Sequence, residues 1–320
     1  MILDEVQLKD YKQICPICKQ SWIQKPEIKR LMTGEKNFLK AAYSFDSCYR
    51  VCEKDNIAIS NGENPRIIFK NIESNLPDEL NKSPEDVIKL RNLLINCINQ
   101  KHTKSKENQF CFYRSEDAFT WAYFGYICKF NFLPFLQEKL QLVDKIESIL
   151  FWGSPYFNIS DIDFRDSLIS VSDLYNENKT SRSEPDIVIC TSKEILFIEV
   201  KIDSNNPRLS PIQKAKVQKY YNKKYYKDFD KASCLYELVR NWTLGNEMAS
   251  QLHKAFKLIN LMPRAKSDKE RKSKYQIAFQ DGIKNSENYK LLNWEDLFEG
   301  LENNYKKYLI ERINSILRIK

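Results

Sequence analysis

The amino-acid sequence predicts an α/β protein whose buried strands are accompanied by amphipathic helices. Two short runs rich in β-branched residues, Ile187 to Ile189 and Ile195 to Ile198, flank a polar turn, which is typical of two buried strands in a hairpin. Segments with apolar residues at helical spacing precede and follow this hairpin. The chain has 320 residues, of which 42% are hydrophobic, and this is enough to form the core of one large domain or two ordinary ones.

Three helices are predicted before the hairpin. The first follows Ser83, a suitable N-cap, and has Pro84 at its first position. The second follows Ser115 and carries Glu116 in its first turn, where a carboxylate also favours the helix dipole. The third is expected over Phe135 to Ile149, and the polar segments 55–82 and 154–182 are expected to be irregular.

Further helices and two further strands are predicted after the hairpin. The longest helix, from Ala232 to His253, has apolar residues at the spacing of one buried face. The other predicted elements are a basic helix within Pro211 to Lys231, a strand over Phe256 to Leu261, an exposed basic loop over Arg264 to Lys274, a helix over Tyr275 to Ile283, a strand over Lys290 to Leu292 and a final helix over Asn304 to Leu317.

The charge and the cysteine content restrict the class of protein. The net charge of +8 permits binding to nucleic acid without proving it. The chain has no run of eighteen apolar residues, and its amino terminus carries acids where a signal peptide needs bases. We therefore expect a soluble, cytoplasmic protein with no membrane partner. In that compartment the nine cysteines should be thiols or metal ligands rather than disulfides.

Two closely spaced cysteine pairs lie within residues 1–70. Cys15 and Cys18 are separated by two residues, and Cys48 and Cys52 by three. Such pairs across a long gap fit a structural Zn²⁺ site with four thiolates, in which Cys48 and Cys52 would share one helical turn. The alternative is that these are four ordinary thiols, because the spacing of the second pair is less common and the glycines of a zinc knuckle are missing.

The ends of the predicted hairpin carry acids and a lysine. Asp186 opens the first apolar run, while Glu199 and Lys201 close the second. Residues two apart on a strand point to the same face, and charged side chains are seldom placed on a buried strand. The combination indicates a functional site.

Hydrolysis of a phosphodiester is a reaction that this combination supports. It requires an activated water, stabilised negative charge and a protonated leaving oxygen, and Mg²⁺ or Mn²⁺ held by carboxylates supplies much of this. Asp186 and Glu199 could bind one ion from neighbouring strands, with the Val200 carbonyl as a further ligand. Lys201 could orient water or stabilise charge, and Glu116 could add a ligand from its helix.

The segment that follows the hairpin alternates lysines with tyrosines. A basic, aromatic stretch can follow a phosphate backbone, although a run of charge is more often a solvated face. The position directly after the candidate site favours contact with nucleic acid, and the residues predicted to make it are Lys214, Lys216, Lys219 and Lys223.

The motif Pro185-Asp186, followed after twelve residues by Glu199-Val200-Lys201, resembles that of the PD-(D/E)xK nuclease superfamily, which has the restriction-endonuclease-like fold. An upstream helix with Glu116 and a basic segment downstream fit the same pattern. Three further segments are similar to a bacterial group of predicted restriction-endonuclease-like proteins: Ser115 to Trp121, Tyr236 to Asn241 and Trp294 to Leu297. The resemblance covers residues 110 to 318 and does not reach the amino-terminal cysteines.

The resemblance implies a central mixed β-sheet flanked by helices in a nuclease-like domain of residues 110–320. That domain would follow the cysteine region of residues 1–70 and a linker and helix of residues 71–109. It also implies a role for Arg240, which would face phosphate or form a surface ion pair. Glu237 stands where related nucleases often have glutamine. The implied catalytic and metal-binding set is Glu116, Asp186, Glu199 and Lys201.

The predicted function is an Mg²⁺-dependent deoxyribonuclease, for which endonuclease action is favoured and exonuclease action is the alternative, and analogy places it in restriction or phage defence. RNA is an alternative substrate, and a homodimer is an alternative to a monomer. A second hypothesis is a catalytically inactive nucleic-acid-binding protein that keeps the fold and uses the cysteine region for recognition. A third is an interaction scaffold held by zinc, which leaves the acids of the hairpin unexplained. The presence of all four expected site residues favours activity.

Overall fold

The computed structural model describes residues 2–33, 44–62, 64–99, 103–177, 180, 182, 184–206 and 216–318. The chain forms two compact units. The first consists of Met1–Lys89, Lys104–Tyr126 and Leu301–Lys320, and the second of Leu90–Thr103 and Ile127–Gly300. Among the described helices, none is both long enough and apolar enough to cross a membrane.

The first unit contains a four-stranded antiparallel sheet with its strands in chain order. The third and fourth strands are short apolar runs and are fully buried, while the second buries Val51 and Cys52. The strands are β1 (Ile23–Gln24), β2 (Arg50–Cys52), β3 (Ile57–Ile59) and β4 (Ile67–Phe69).

The second unit contains a six-stranded mixed sheet. The strands are β5 (Ile146–Phe151), β6 (Ser154–Asn158), β7 (Ile187–Thr191), β8 (Glu194–Val200), β9 (Ala255–Met262) and β10 (Tyr289–Asn293). Their order across the sheet is β10-β9-β8-β7-β5-β6. The pairs β8–β9 and β9–β10 are parallel, and the other pairs are antiparallel. The predicted α/β class with a central mixed sheet flanked by helices is confirmed.

The helices differ widely in length. Their bounds are α1 (Glu5–Lys9), α2 (Pro26–Met32), α3 (Pro84–Ile95), α4 (Thr103–Phe110), α5 (Glu116–Thr120), α6 (Tyr126–Lys129), α7 (Leu133–Lys139), α8 (Phe164–Leu174), α9 (Phe229–Ala232), α10 (Tyr236–Gln251), α11 (Arg264–Glu270), α12 (Lys274–Gly282), α13 (Trp294–Leu297) and α14 (Asn303–Arg318). A π-helical turn, Trp121–Gly125, joins α5 to α6.

The carboxy-terminal helix α14 completes the core of the first unit. The buried guanidinium of Arg312 donates a hydrogen bond of 2.6 Å to the Tyr113 carbonyl and lies 3.9 Å from the centre of its ring. Ser315 donates to the carbonyl of Leu3 at 2.6 Å. These buried bonds join the two ends of the chain to the segment around Tyr113.

Helix α10 packs closely on the mixed sheet. A Cβ atom on Gly245 would lie 2.0 Å from the ring of Phe256 on β9, so only glycine permits this approach. Phe256 also packs edge-on against Trp242 of α10 and Phe197 of β8. This contact fixes the height of α10 above the sheet face that carries the candidate site.

Several predicted elements are confirmed, and several are wrong. The hairpin, the helices after Ser83 and Ser115, the strands β9 and β10 and the helices α10, α12 and α14 are present. The predicted helix over Phe135 to Ile149 ends at Lys139, and its second half belongs to β5, because the apolar run pairs with β7. The segments expected to be irregular contain β3, β4, β6 and α8, and the expected basic loop contains α11.

The basic segment that follows the hairpin is not one helix in its described part. Residues 216–231 contain the 3₁₀-helix Gln218–Tyr220 and the short helix α9. Tyr220 and Tyr226 are buried and bind protein groups: Tyr220 donates to Glu177, and Tyr226 donates to the Val239 carbonyl at 3.0 Å. These two tyrosines therefore do not form the exposed aromatic track that the sequence suggested.

Candidate functional site

The paired strands β7 and β8 bring two acids together at the edge of the hairpin. Ile187 lies opposite Ile198, so the next pair in this register is Asp186 and Glu199. Directly opposite residues point to the same face of a sheet. The Asp186 carboxylate also accepts a hydrogen bond of 2.7 Å from the Val200 backbone N–H, which holds it at the end of β8.

Glu199 and Lys201 form a buried ion pair on that face. The Lys201 ammonium lies 2.6 Å from one Glu199 oxygen, and the two residues are 6% and 4% exposed. Helix α10 supplies two further partners. Asn241 donates to the other Glu199 oxygen at 2.7 Å, and a Glu237 oxygen lies 3.0 Å from the Lys201 ammonium. We call Asp186, Glu199, Lys201 and Glu237 the acid–lysine cluster.

The two glutamates of the cluster have opposite shifts in pKa. Burial raises the pKa of Glu199, although Lys201 acts to lower it. Burial acts in the same direction on Glu237, but Lys201 and Arg240 outweigh it and leave the pKa of Glu237 lowered. Glu199 therefore holds a proton more readily than Glu237 does. Neighbouring acids with separated pKa values are typical of sites that exchange protons.

Arg240 belongs to the same charged network. Burial acts to lower the pKa of Arg240, but Glu237 and Glu199 raise it above the usual value. Its guanidinium lies 5.8 Å from the centre of the Tyr236 ring, and its Nε donates a long hydrogen bond of 3.5 Å to Asn241. Arg240 is half-buried and thus offsets the negative charge of two acids of the acid–lysine cluster.

The remaining predicted site residues belong to other elements or lie outside the described residues. Glu116 is the first residue of α5 in the first unit, where Ser115 caps the helix through the Ala118 N–H. Asp186, Glu199 and Lys201 all belong to the second unit. Lys216 and Lys223 are exposed, Lys219 is half-buried with its ammonium 4.9 Å from the centre of the Tyr220 ring, and Lys214 lies outside the described residues.

A basic cavity lies at the same end of the mixed sheet. Its volume is about 490 Å³, and three lysines contribute to its lining. Helix α11 begins just after β9 ends, and its Lys266 donates to the Ser204 carbonyl at 3.1 Å. Ligands of open α/β sheets commonly bind at the carboxyl ends of parallel strands. The residues that line the cavity are Asn205, Lys266, Lys269, Glu270, Ser273, Lys274 and Tyr275.

A second group of candidate ligands lies in the first unit. The ligand atoms of Cys15, Cys18, Cys52 and Asp55 all lie within 4.8 Å of one another. We call these four residues the cysteine–aspartate cluster. Three thiols and a carboxylate at this separation could hold a metal such as zinc.

The prediction of Cys48 as the fourth ligand is wrong. Its thiol is fully buried and donates to the Ser44 carbonyl at 3.3 Å. Cys48 follows a 3₁₀-helix, whereas Cys52 ends β2, so the two cysteines do not share a helical turn. Asp55 takes the fourth position, which the spacing of the cysteines alone does not indicate.

Two residues at this site had no role assigned from the sequence: Glu237, a member of the acid–lysine cluster, and Asn241, which contacts it. One signal was available for Asn241: it is a polar residue on the apolar face of α10, between Leu238 and Gly245. It is fully buried, and its amide is directed at Glu199. A buried amide that binds a carboxylate orients that carboxylate.

Comparison of the chain with models of protein families, with curated proteins and with solved structures found no match.

Proposed function

We propose that this protein is a metal-dependent nuclease that hydrolyses phosphodiester bonds in DNA. The observation that carries the proposal is the position of Asp186, Glu199 and Lys201 on one face at the ends of two paired strands. A buried ion pair maintained for stability alone is costly compared with apolar side chains of the same size. A catalytic role explains why the charges are placed there.

The donor atoms of the acid–lysine cluster fit the cofactor that this reaction needs. Mg²⁺ and Mn²⁺ prefer carboxylate oxygen, and Asp186 and Glu199 present two carboxylates from opposite positions on neighbouring strands. These two residues would hold the ion. When bound, Mg²⁺ or Mn²⁺ supplies positive charge at the phosphate and makes water more acidic.

The protein groups around the ion would have separate roles. Lys201 is held between Glu199 and Glu237, so its ammonium is oriented before the substrate binds and can stabilise negative charge on the phosphate. Asn241 orients Glu199 through a direct hydrogen bond. Strands and a packed helix carry these side chains, which limits their movement.

The specific form that the resemblance to PD-(D/E)xK nucleases supports is an endonuclease in restriction or phage defence. The cysteine–aspartate cluster takes no part in the proposed reaction.

A second candidate function is nucleic-acid binding without catalysis. One observation favours it: both oxygens of Glu199 already accept hydrogen bonds from protein groups, Lys201 and Asn241. A carboxylate that is satisfied in this way can serve the fold without a metal.

Cleavage assays with the wild-type protein separate these two candidates. Supercoiled plasmid, single-stranded DNA and RNA are incubated with the protein in Mg²⁺, in Mn²⁺ or in EDTA, and binding is measured on the same substrates. We expect the plasmid to be nicked or linearised in either metal and to stay intact in EDTA. Nucleic acid that is bound but left intact in every metal would contradict the nuclease and support the second candidate.

The basic cavity should contribute to DNA binding. Lys269 and Lys274 are exposed at its rim, and each phosphate contact releases about one counterion. We expect the double substitution Lys269→Ala/Lys274→Ala to weaken binding about tenfold at moderate salt and to reduce the slope of log affinity against log salt by about 2. Fluorescence anisotropy with a DNA duplex in EDTA measures this without cleavage.

A matched control for that pair lies at the opposite end of β8. Lys145 and Lys193 are also exposed, and their replacement by alanine changes the net charge equally. We expect the Lys145→Ala/Lys193→Ala protein to bind nearly as the wild type does. Equal losses in the two double variants would mean that net charge, and not the cavity, determines binding.

A further inference from the structure

We propose that the cysteine–aspartate cluster binds one structural Zn²⁺ ion through Cys15, Cys18, Cys52 and Asp55. The Sγ atoms of Cys18 and Cys52 are 3.6 Å apart, and an Asp55 oxygen lies 3.0 Å from the Cys15 Sγ and 3.1 Å from the Cys52 Sγ. Zinc–sulfur bonds of about 2.3 Å in a tetrahedron place two sulfur ligands about 3.8 Å apart. The four ligand atoms thus have separations close to those around a single ion.

The four ligands come from two turns with the same ligand spacing and the same backbone pairing. In each turn the two ligands are separated by two residues: Cys15 from Cys18, and Cys52 from Asp55. The first ligand of each turn pairs with the residue five positions later. The Cys15 N–H donates to the Gln20 carbonyl at 2.8 Å, and Cys52 faces Ile57 across the β2–β3 pair.

The backbone conformation of the two turns also matches. Lys19 and Asn56, which directly follow the second ligand of each turn, have left-handed φ angles of 61° and 52°. Glycine usually occupies such a position. Because Lys19 and Asn56 adopt the same backbone conformation, the missing glycines do not count against a metal site here. Strained backbone at equivalent positions in two separate turns indicates a common constraint, and a shared ion supplies one.

The ligand chemistry selects zinc. Thiolates favour zinc, copper(I) and iron, whereas a carboxylate oxygen is a common ligand of zinc but not of copper(I). Cys15 and Cys52 are buried and Cys18 and Asp55 half-buried, which is typical of a closed structural site with four protein ligands. The thiols lose their protons to solvent when the metal binds. The ion would join the turn at residues 15–18 to the β2–β3 hairpin and so stabilise the small sheet.

Metal analysis of the full-length protein tests the proposal. After purification without chelators and dialysis against metal-free buffer, we expect one zinc ion per chain in the wild type and almost none in Cys52→Ser. Cys48→Ser is the matched control, because it also removes a buried thiol from this region, but one outside the cluster. It should retain zinc in full. Wild-type protein without zinc, or with iron in its place, would overturn the proposal.

Two further measurements separate the loss of a ligand from the loss of the fold. Asp55→Ala should bind zinc at least about tenfold more weakly in competition with a chelator, while Asp55→Cys should retain it. Cobalt(II) in place of zinc should give thiolate charge-transfer absorption in the wild type and in Cys48→Ser. Zinc affinity unchanged in Asp55→Ala, or lost equally in Cys48→Ser and Cys52→Ser, would contradict the assigned ligands. None of these outcomes depends on nuclease activity.

Discussion

We expect the substitution Glu199→Gln to lower the rate of metal-dependent DNA cleavage by about 10³-fold. The amide keeps the size of the side chain but removes the negative charge that would hold Mg²⁺ or Mn²⁺. It also removes the ion pair of 2.6 Å with Lys201, so the ammonium loses one of the two carboxylates that orient it. Because burial already raises the pKa of Glu199, a neutral side chain at this position should be accepted by the fold.

Glu194 provides the matched control for this prediction. It lies at the other end of β8, is also buried and forms an ion pair of 2.5 Å with Lys257. Glu194→Gln therefore makes the same chemical change on the same strand away from the acid–lysine cluster, and we expect it to cleave DNA within a few-fold of the wild-type rate. Rates are compared at saturating Mg²⁺ on one plasmid. Similar losses in both variants would show that Glu199 acts through stability rather than chemistry.

We expect Lys201→Met to lower the free energy of unfolding by about 3–5 kcal/mol. Methionine fills a similar volume but leaves Glu199 buried without its cation, while Glu237 loses the ammonium that lies 3.0 Å away. The Asn241 amide still donates to Glu199, but a neutral donor does not balance the charge. Denaturant unfolding followed by tryptophan fluorescence measures the change, with Lys193→Met, an exposed lysine on the β7–β8 turn, as the control.

The effect of Lys201→Met should increase with pH. The folded-state pKa of Glu199 is already raised, so its ionisation opposes folding as pH rises, and the loss of Lys201 raises this pKa further. The pKa of Glu237 is lowered mainly by Lys201 against the effect of burial, and this stabilisation is almost fully present above the unfolded pKa of about 4.3, so its loss is nearly the same at pH 5 and pH 8. The contribution of Glu199 therefore makes the difference between variant and wild type larger at pH 8 than at pH 5. An equal difference at the two pH values would contradict this account.

The strands of the hairpin could be predicted because their signal is local. The runs Ile187 to Ile189 and Ile195 to Ile198 are β-branched and separated by a short polar turn, and they form β7 and β8. The segment Ile146 to Phe151 directly follows residues with helical spacing, and its own apolar residues fit a helix equally well. Its pairing with β7, about forty residues later in the chain, determines that it is a strand.

In the candidate site, too, the features set by local strand geometry were predictable, whereas the contacts between distant elements were not. The alternation of side chains along a strand places Glu199 and Lys201 on one face, and this was predicted from the sequence. The contacts of Glu237 and Asn241 with these residues depend on the position of α10 above β8. No local pattern in α10 specifies which turn of the helix lies over the end of β8, because this depends on close packing such as that of Gly245 on Phe256.

The sequence by itself determined the α/β class, the hairpin and the acids and lysine at its ends. These features depend on residues close together in the chain, where strand geometry and turn chemistry leave few alternatives. Only the tertiary structure decided the partners of those residues and the choice of Asp55 over Cys48 in the cysteine–aspartate cluster. The physical reason is that the ligands come from two turns some forty residues apart. They meet only when β2 and β3 pair and the turn at residues 15–18 folds beside them. Burial of a thiol such as Cys48 does not by itself make it a ligand.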